Sequence, residues 1–527
     1  MTQFKKPKFS LVAVAASLLF AGCESSLMQV EQPVNEVALE NKNKFGGFNL
    51  SELPEVTDFS NLRQGDFTGR FFILSKGPNL PANLARSIAQ AGGEIVKTYP
   101  EIGVAVAVSR SGDFFTNAQS INGIESITPD IVLQYTQEPT SLGEENMIEA
   151  AADAVSARMA PASGTPFNYR SAIFDGFQWA PASIDAPKAW DNGFTGEGVR
   201  VAVIDGGFRN THQDLVANFD VASSVSTVPG FPFNFDTGTF WHGTHVAGIV
   251  AASGVGIVGI APKATIIGVK SLHSGSGAFE WILDGILYAA TPQSQGGAGA
   301  QIINMSLGAT IDYRNNWQEE GFREAFRDLQ KIYDRATLFA FQNGVTVIAS
   351  AGNGGTNYDN AKELYKLPAE NRHVLSISST GPMGWVLGNT NFSQLAYYSD
   401  HGKSLLDFAA PGGNAGLAVI EGNFSPCSLV GTRRSIINTC AVFDQVLSCS
   451  RGTGTSNSSY SWAQGTSMAA PAAAGVAALM IQANGGSMTP AQVKTRMIQS
   501  ATDLGKPGQD EIYGHGFVNA AKAVGLN

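Results

Sequence analysis

The sequence predicts an α/β fold: a parallel sheet with helices on both faces, preceded by a small α+β unit of ferredoxin-like order. Three observations predict it. Continuous apolar runs recur as VRVAVID (199–205), ATIIGVK (264–270), QIINMSL (301–307), GVTVIASAGN (344–353) and HVLSISST (373–380), the pattern of strands buried on both faces. Segments of helical spacing alternate with them: HVAGIVAA, EWILDGILYAA, NWQEEGFREAFRDLQKIYDRATLFAFQ and the apolar run 467–482. Ahead of these, residues 67–137 read in the order βαββαβ.

The chain begins MTQFKKPKFSLVAVAASLLFAGCESS, with Lys5, Lys6 and Lys8 before an apolar run from Phe9 to Ala21. A bilayer needs about 20 apolar residues, so this run is too short to span one and fits the core of an export signal. LLFAGC resembles the lipobox of bacterial lipoproteins, with Phe20 where Leu is usual. The resemblance implies a signal peptide over 1–22 and a lipid on Cys23. The protein is then expected to be exported, either held in the cell envelope on a membrane lipid anchor or secreted. Residues 23–66 are polar and without periodicity, as a flexible tether reads.

In the first folded unit, GRFFILSK is a strand. PANLARSIAQAGG is a helix opened by Pro81 and closed by Gly92-Gly93. EIVKTYPE and IGVAVAVS are strands, SGDFFTNAQSI a second helix and GIESITPDIVLQY a last strand. Residues 138–178 shift to Ala, Ser, Pro and acidic composition, which reads as a linker or cleavable segment. The main domain follows over 179–527. Charged residues are 15 % of the chain and glycines number 59, a balance suited to a tightly packed core, since about 25 % charged is usual. The net charge of −10, with no basic stripe, excludes a nucleic-acid partner.

Three polar positions interrupt the apolar pattern of the main domain. Asp205 ends the strand in VIDGG, His242 opens a helix in WHGTHVAGIVAA, and Ser467 opens another in GTSMAAPAAAG. Singly, each reads as a cap or an exposed polar residue. His242 and His245 have no third ligand in sequence to make a metal site. Together they supply a hydroxyl nucleophile, a base and a carboxylate to orient it.

The order Asp…His…Ser, with HQDL, HGTHVAGIVAA, NMSLG, ASAGN, GTSMAAP and YGHGFVNAAKAV, resembles the subtilisin-like serine peptidases from Gln178 to the C-terminus. The resemblance implies a serine endopeptidase acting on proteins and peptides through an acyl-enzyme, with Asp205, His242 and Ser467 as its triad. Asn353 then matches the oxyanion donor. Gly275 and Gly277 in HSGSG, and Ser306, Leu307 and Gly308 in NMSLG, match the segments between which a peptide lies as an added strand. Backbone recognition of that kind implies broad specificity. Small residues from Ala349 through Ala351 and Gly352 imply a pocket for a large apolar side chain. AGGEIVKTYPEIGVAVAV resembles the inhibitory propeptides of the same family, which implies a precursor inhibited by its own N-terminal unit, and DIVLQY, ending at Tyr135, suits the tail of one. The rival reading is a catalytically silent envelope protein that binds peptides in the groove. An esterase is excluded, because GTSMA lacks the GxSxG elbow.

Four departures from the family stand out. Ala472 and Ala473 replace a usual His-Val, and Gly206 replaces a usual Thr or Ser. Asp214 matches a family calcium ligand, yet AASGVGIVGIAP is short and lacks the Asn ligands. That argues against the six to eight oxygens calcium takes, and the chemistry itself requires no cofactor. Residues 413–459 are an insertion holding Cys427, Cys440 and Cys449. An exported chain should form one disulfide among them, with the pairing open. Zinc is a poor alternative, since no His lies between His401 and His515.

Overall fold

The computed structural model describes residues 66–136, 147–149, 167–314, 320–453 and 457–527. The segment read as an export signal, Cys23 and residues 24–65 of the segment read as a tether lie outside the described residues.

Strands β1 (Phe67–Ser75), β2 (Gly93–Tyr99), β3 (Val104–Ser109) and β4 (Ile124–Gln134) form the first unit with helices α1 (Leu84–Gln90) and α2 (Phe114–Gln119). The strands pair antiparallel in the order β2-β3-β1-β4. Side chains alternate across a strand, so Phe71 and Ile73 of β1 share a face with Ala105 and Ala107 of β3. Leu84, Ile88 and Phe114 of the two helices close that core.

The main sheet is built from β5 (Arg200–Asp205), β6 (Val225–Ser226), β7 (Thr265–Lys270), β9 (Ile302–Met305), β10 (Thr346–Ser350), β11 (Val374–Thr380) and β12 (Phe408–Pro411). Its order is β12-β11-β10-β9-β5-β7-β6, with every pair parallel. Val201 and Val203 face one core with α3 (His242–Ala251) and α6 (Thr466–Ala483). Ala202 and Ile204 face the other with α4 (Phe279–Ala290) and α5 (Glu320–Gln342). The alternating faces explain why each strand reads as a continuous apolar run. Helix α6 is long and apolar enough to cross a bilayer, but 83 % of it is buried in the protein, as a core helix is. The short strand β8 (Ser276–Ala278) leaves the main sheet and pairs antiparallel with β4, so the first unit and the main domain share a five-stranded sheet.

The composition of 138–178 suggests a linker, but its C-terminal part is core. Ala172, Ile173, Phe174 and Phe177 are buried in the main cluster, where Phe174 packs edge-on to Tyr460. Met147–Glu149 pairs with Ser459–Ala463, which in turn pairs with Val446–Cys449. In the insertion, Pro426–Val430 and Ser435–Thr439 form a hairpin, and Cys427 is bonded to Cys440. Cys449 is free and buried, and burial pushes its thiol well above the usual range.

Candidate active site

Asp205 stands at the C-terminal end of β5, the edge of a parallel sheet where ligands bind, and it is fully buried. Both its oxygens lie 2.9 Å from Nδ1 of His242, the first residue of α3, whose side chain is 13 % exposed. Asp205 Oδ1 also accepts the Gly206 amide at 2.7 Å. A carboxylate at Nδ1 fixes the tautomer that leaves Nε2 as a proton acceptor and stabilises the imidazolium formed later. His245, one turn on, points elsewhere. It lies in the core with Nε2 3.1 Å from the Ser461 carbonyl, and burial lowers its pKa to about 3. It is a neutral structural side chain.

The place of a hydroxyl at residue 206 is taken by a different group. A Cβ at Gly206 would collide with Oδ2 of Asp236, and the same carboxylate accepts the amides of Gly207 at 2.9 Å and of Ser274 at 3.0 Å. Lys270, fully buried, donates to the Leu272 carbonyl at 2.6 Å and lies 3.8 Å from Asp236. Burial pushes the Lys270 ammonium down to about 8.

Ser467 is the second residue of α6, after Gly465 at φ +155°. First-turn amides have no acceptor inside their own helix, and the macrodipole makes that end positive. The Ser467 hydroxyl donates to the Ser306 carbonyl at 3.2 Å. A base that takes the Ser467 proton has to replace that acceptor. Pro471 lies inside α6 and has no amide proton to offer the carbonyl of Ser467, four residues back. The Ser306 hydroxyl supplies the missing donor at 2.8 Å and is itself held by Asn304 Nδ2 at 2.9 Å. Ala472 and Ala473 are buried beyond this turn, where small side chains let α6 pack against α3 and the sheet.

Asn353 follows β10 in an exposed turn. Its Oδ1 accepts both the amide and the hydroxyl of Thr466, each at 2.9 Å, and Thr466 Oγ1 accepts the Gly352 amide at 3.0 Å. With its carbonyl end committed, Asn353 turns Nδ2 toward Gly465, where a Cβ would lie 3.4 Å from it and 3.6 Å from the Ser467 amide nitrogen. Two N–H donors on one side of a nucleophile can stabilise the oxyanion of a tetrahedral intermediate.

The residues expected to line a substrate groove also lie near one another. Gly275 precedes β8 and Gly277 lies within it, while Ser306, Leu307 and Gly308 continue β9. The tail of β4 runs between them. The Gly275 carbonyl accepts the amides of Tyr135 at 2.9 Å and Thr136 at 3.1 Å, and the Gly308 amide donates to the Tyr135 carbonyl at 3.0 Å. Thr136 lines a cleft with Asp205, Asp236, Trp241, His242 and Gly275. Ala351 and Gly352 are buried as small pocket residues, but the side chain of Lys366 lies against both Gly308 and Gly352.

Asp214 does not fit a cation. Its carboxylate accepts the amides of Val255 at 2.6 Å, Gly256 at 2.9 Å and Ile257 at 3.1 Å, and the Tyr460 hydroxyl at 2.6 Å. Proton donors occupy the directions a metal would need. His212 and Cys449 bring two further ligand-type atoms near it. His212, however, has Nε2 2.9 Å from the Ser459 carbonyl and accepts the Asp214 amide on Nδ1 at 3.2 Å.

Sequence reasoning passed over Thr466, Asp236 and Lys366. Thr466 had a legible neighbour in Ser467, but its role is a contact with Asn353, 113 residues away. Asp236 and Lys366 sit in segments that match none of the motifs.

A sheet-edge aspartate on a histidine, with a serine at a helix N-terminus on the same fold, defines a serine-type endopeptidase. The subtilase family profile (Peptidase_S8) matches residues 196–516, and the chain belongs to that family. Subtilisin Savinase of Lederbergia lenta is 31 % identical over 66 % of this chain and 98 % of its own length. The minor extracellular protease Epr of Bacillus subtilis (strain 168) is 30 % identical over 74 % of this chain, a match that spans about half of Epr, 47 %. The epidermin leader peptide processing serine protease EpiP of Staphylococcus aureus, in its S393A mutant, shares the fold. Its TM-score is 0.62 at 21 % identity, over 87 % of this chain and 99 % of that one.

Proposed function

We propose that the chain is an exported serine endopeptidase made as a precursor whose N-terminal unit blocks its own cleft. Ser467 is the nucleophile, His242 the general base and then acid, and Asp205 the group that orients it. Asn353 Nδ2 and the Ser467 amide receive the oxyanion. The observation that carries the precursor reading is the β4 tail. It enters the groove as an added strand on β8, takes the Gly308 amide, and places Thr136 in the cleft beside His242. A peptide substrate would be held by the same backbone groups.

The first unit also binds the helices behind the groove. Asp130 Oδ1 accepts the Glu280 amide at the start of α4 at 3.1 Å. Arg70 and Lys97 pair with Glu280 and Asp284. Arg335 of α5 donates to the carbonyls of Ser75 at 2.8 Å and Ile102 at 3.0 Å. Export and lipid attachment rest on the N-terminal sequence and Cys23. Because the lipidated cysteine precedes the inhibitory unit, a cut beyond Thr136 parts the catalytic domain from its anchor. The catalytic fold is also read as independent of calcium at Asp214, whose lone pairs are engaged by N–H and O–H donors.

The full-length chain and its Ser467→Ala variant, expressed in bacteria and probed with a fluorophosphonate, test this. The wild type is expected to shorten itself, take the label and degrade casein, while the variant stays full length and unlabelled. Labelling that persists in the variant overturns the assignment of Ser467. Metabolic lipid labelling that survives Cys23→Ala overturns the anchor. Melting that is unchanged by a calcium chelator is expected, and a large drop would return Asp214 to the metal ligands.

A further inference from the structure

We propose that Lys366 determines specificity in this active site, making the pocket behind Gly308 and Gly352 select a side chain that ends in a carbonyl or carboxylate oxygen. The inference rests on the endopeptidase reading and revises the expectation of a large apolar side chain on the acyl side of the cut.

The strand Leu364–Leu367 pairs antiparallel with Ala309–Asp312, the direct continuation of Ser306, Leu307 and Gly308, and sets Lys366 opposite Thr310. The lysine side chain turns under the groove. A Cβ at Gly308 would stand 3.4 Å from its Cε, and one at Gly352 would collide with its Nζ and with Oδ2 of Asp400. Gly352, expected to line a pocket for a large apolar side chain, and Gly308 of the groove segment therefore both lie against a buried ammonium. That ammonium donates to Thr310 Oγ1 at 2.8 Å and pairs with Asp400 Oδ2 at 3.2 Å. The side chains of Lys366 and Asp400 are 8 % and 2 % exposed. Asp400 is held in turn, since its Oδ1 accepts the Thr356 amide at 3.0 Å.

An ammonium has three N–H donors, and Thr310 and Asp400 take two. The third is left for a group entering between Gly308 and Gly352. A glutamine or glutamate side chain brings an oxygen to it. A leucine or phenylalanine covers the charge without an acceptor and meets the lysine stem where depth is needed. Leaving the third N–H of this buried ammonium without an acceptor is expected to cost such substrates roughly 10- to 100-fold in kcat/KM. A basic side chain meets like charge. The chain's own sequence agrees, because Gln137 and Glu138, both oxygen-bearing, follow Thr136 directly.

The test uses enzyme matured from the full-length precursor and a fluorogenic peptide series varied only at the residue whose carbonyl is cut: Gln, Glu, Ala, Leu, Phe and Lys. Cut sites in denatured casein give an independent profile. Gln and Glu are expected to exceed Leu and Phe by about tenfold or more, with the two arms separating a neutral from an anionic acceptor. Lys366→Ala should abolish that advantage and raise the rate on Phe. Because this variant strands Asp400, Lys366→Ala/Asp400→Asn is measured beside it, with melting and fluorophosphonate labelling as folding controls. Leu, Phe or Lys as the best substrate of the wild type overturns the inference, as does a ranking unchanged in both variants. Wild type that neither takes the label nor cuts casein overturns the endopeptidase reading, and the pocket inference with it.

Discussion

Thr466→Val isolates the device that aims Asn353. The substitution keeps the shape of the side chain and the Thr466 amide bond to Asn353 Oδ1, but deletes the hydroxyl bond to the same oxygen, 2.9 Å long. A neutral hydrogen bond contributes about 0.5–1.5 kcal/mol. If orientation of Nδ2 is expressed only in the transition state, kcat falls by about 2- to 13-fold while KM stays near its wild-type value. Deleting the donor outright, in Asn353→Ala, is expected to cost about 10²–10³ in kcat. Initial rates on one peptide for wild type, both single variants and the double variant complete a cycle. In the Asn353→Ala background, Thr466→Val should change kcat by less than about twofold. An undiminished loss there, or a loss carried by KM, refutes positioning through Asn353. The Gly352 amide, 3.0 Å from the same hydroxyl, loses its acceptor. Stability should therefore fall by about 1–3 kcal/mol, read separately by melting.

Three further outcomes follow from the packing. Burial, and next Glu280, push the Asp130 carboxyl up to about 8; undocked it titrates near 3.9, as a free aspartate does (about that value). The contribution of Asp130 to docking is thus fully present below the lower value and is lost as pH rises through the upper. Amide exchange of β4 in the Ser467→Ala precursor should be faster at pH 8.5 than at pH 6, at roughly equal intrinsic rates after correction, and Asp130→Asn should flatten the difference. Ser306→Ala orphans the Ser467 carbonyl that Pro471 cannot serve, at about 1–3 kcal/mol. The loss should shrink in a Pro471→Ala background, and an equal drop in melting temperature in both backgrounds counts against the pairing. Gly206→Ser forces a Cβ against Asp236 and should destabilise by about 1–3 kcal/mol; wild-type melting would show that the carboxylate is free to move.

Much of the fold was legible because its signals are local. A strand buried on both faces has to be apolar at every position, so β5, β7, β9, β10 and β11 announce themselves as runs. Asp205 and His242 were found because each polar residue interrupts such a pattern at an element end, and the structure holds them 2.9 Å apart. The linker assignment of Ala172–Phe177 failed for the converse reason. Its Ala, Ser and Pro neighbours carry the composition of a loop, while burial against Tyr460 depends on a strand nearly 290 residues downstream.

By itself, then, the sequence determined the parallel sheet, the two-unit order, and the strand-end and helix-start positions of Asp205, His242 and Ser467. These follow from periodicity and from motifs a few residues long. Only the tertiary structure decided that Cys427 joins Cys440 while Cys449 stays free, and that Asp236 fills the space left at Gly206. It alone encloses Asp214 in amide donors and sets an ammonium beneath Gly308 and Gly352. Each is a contact between segments whose own patterns are silent about one another, made when the chain folds and two side chains come to share one small volume.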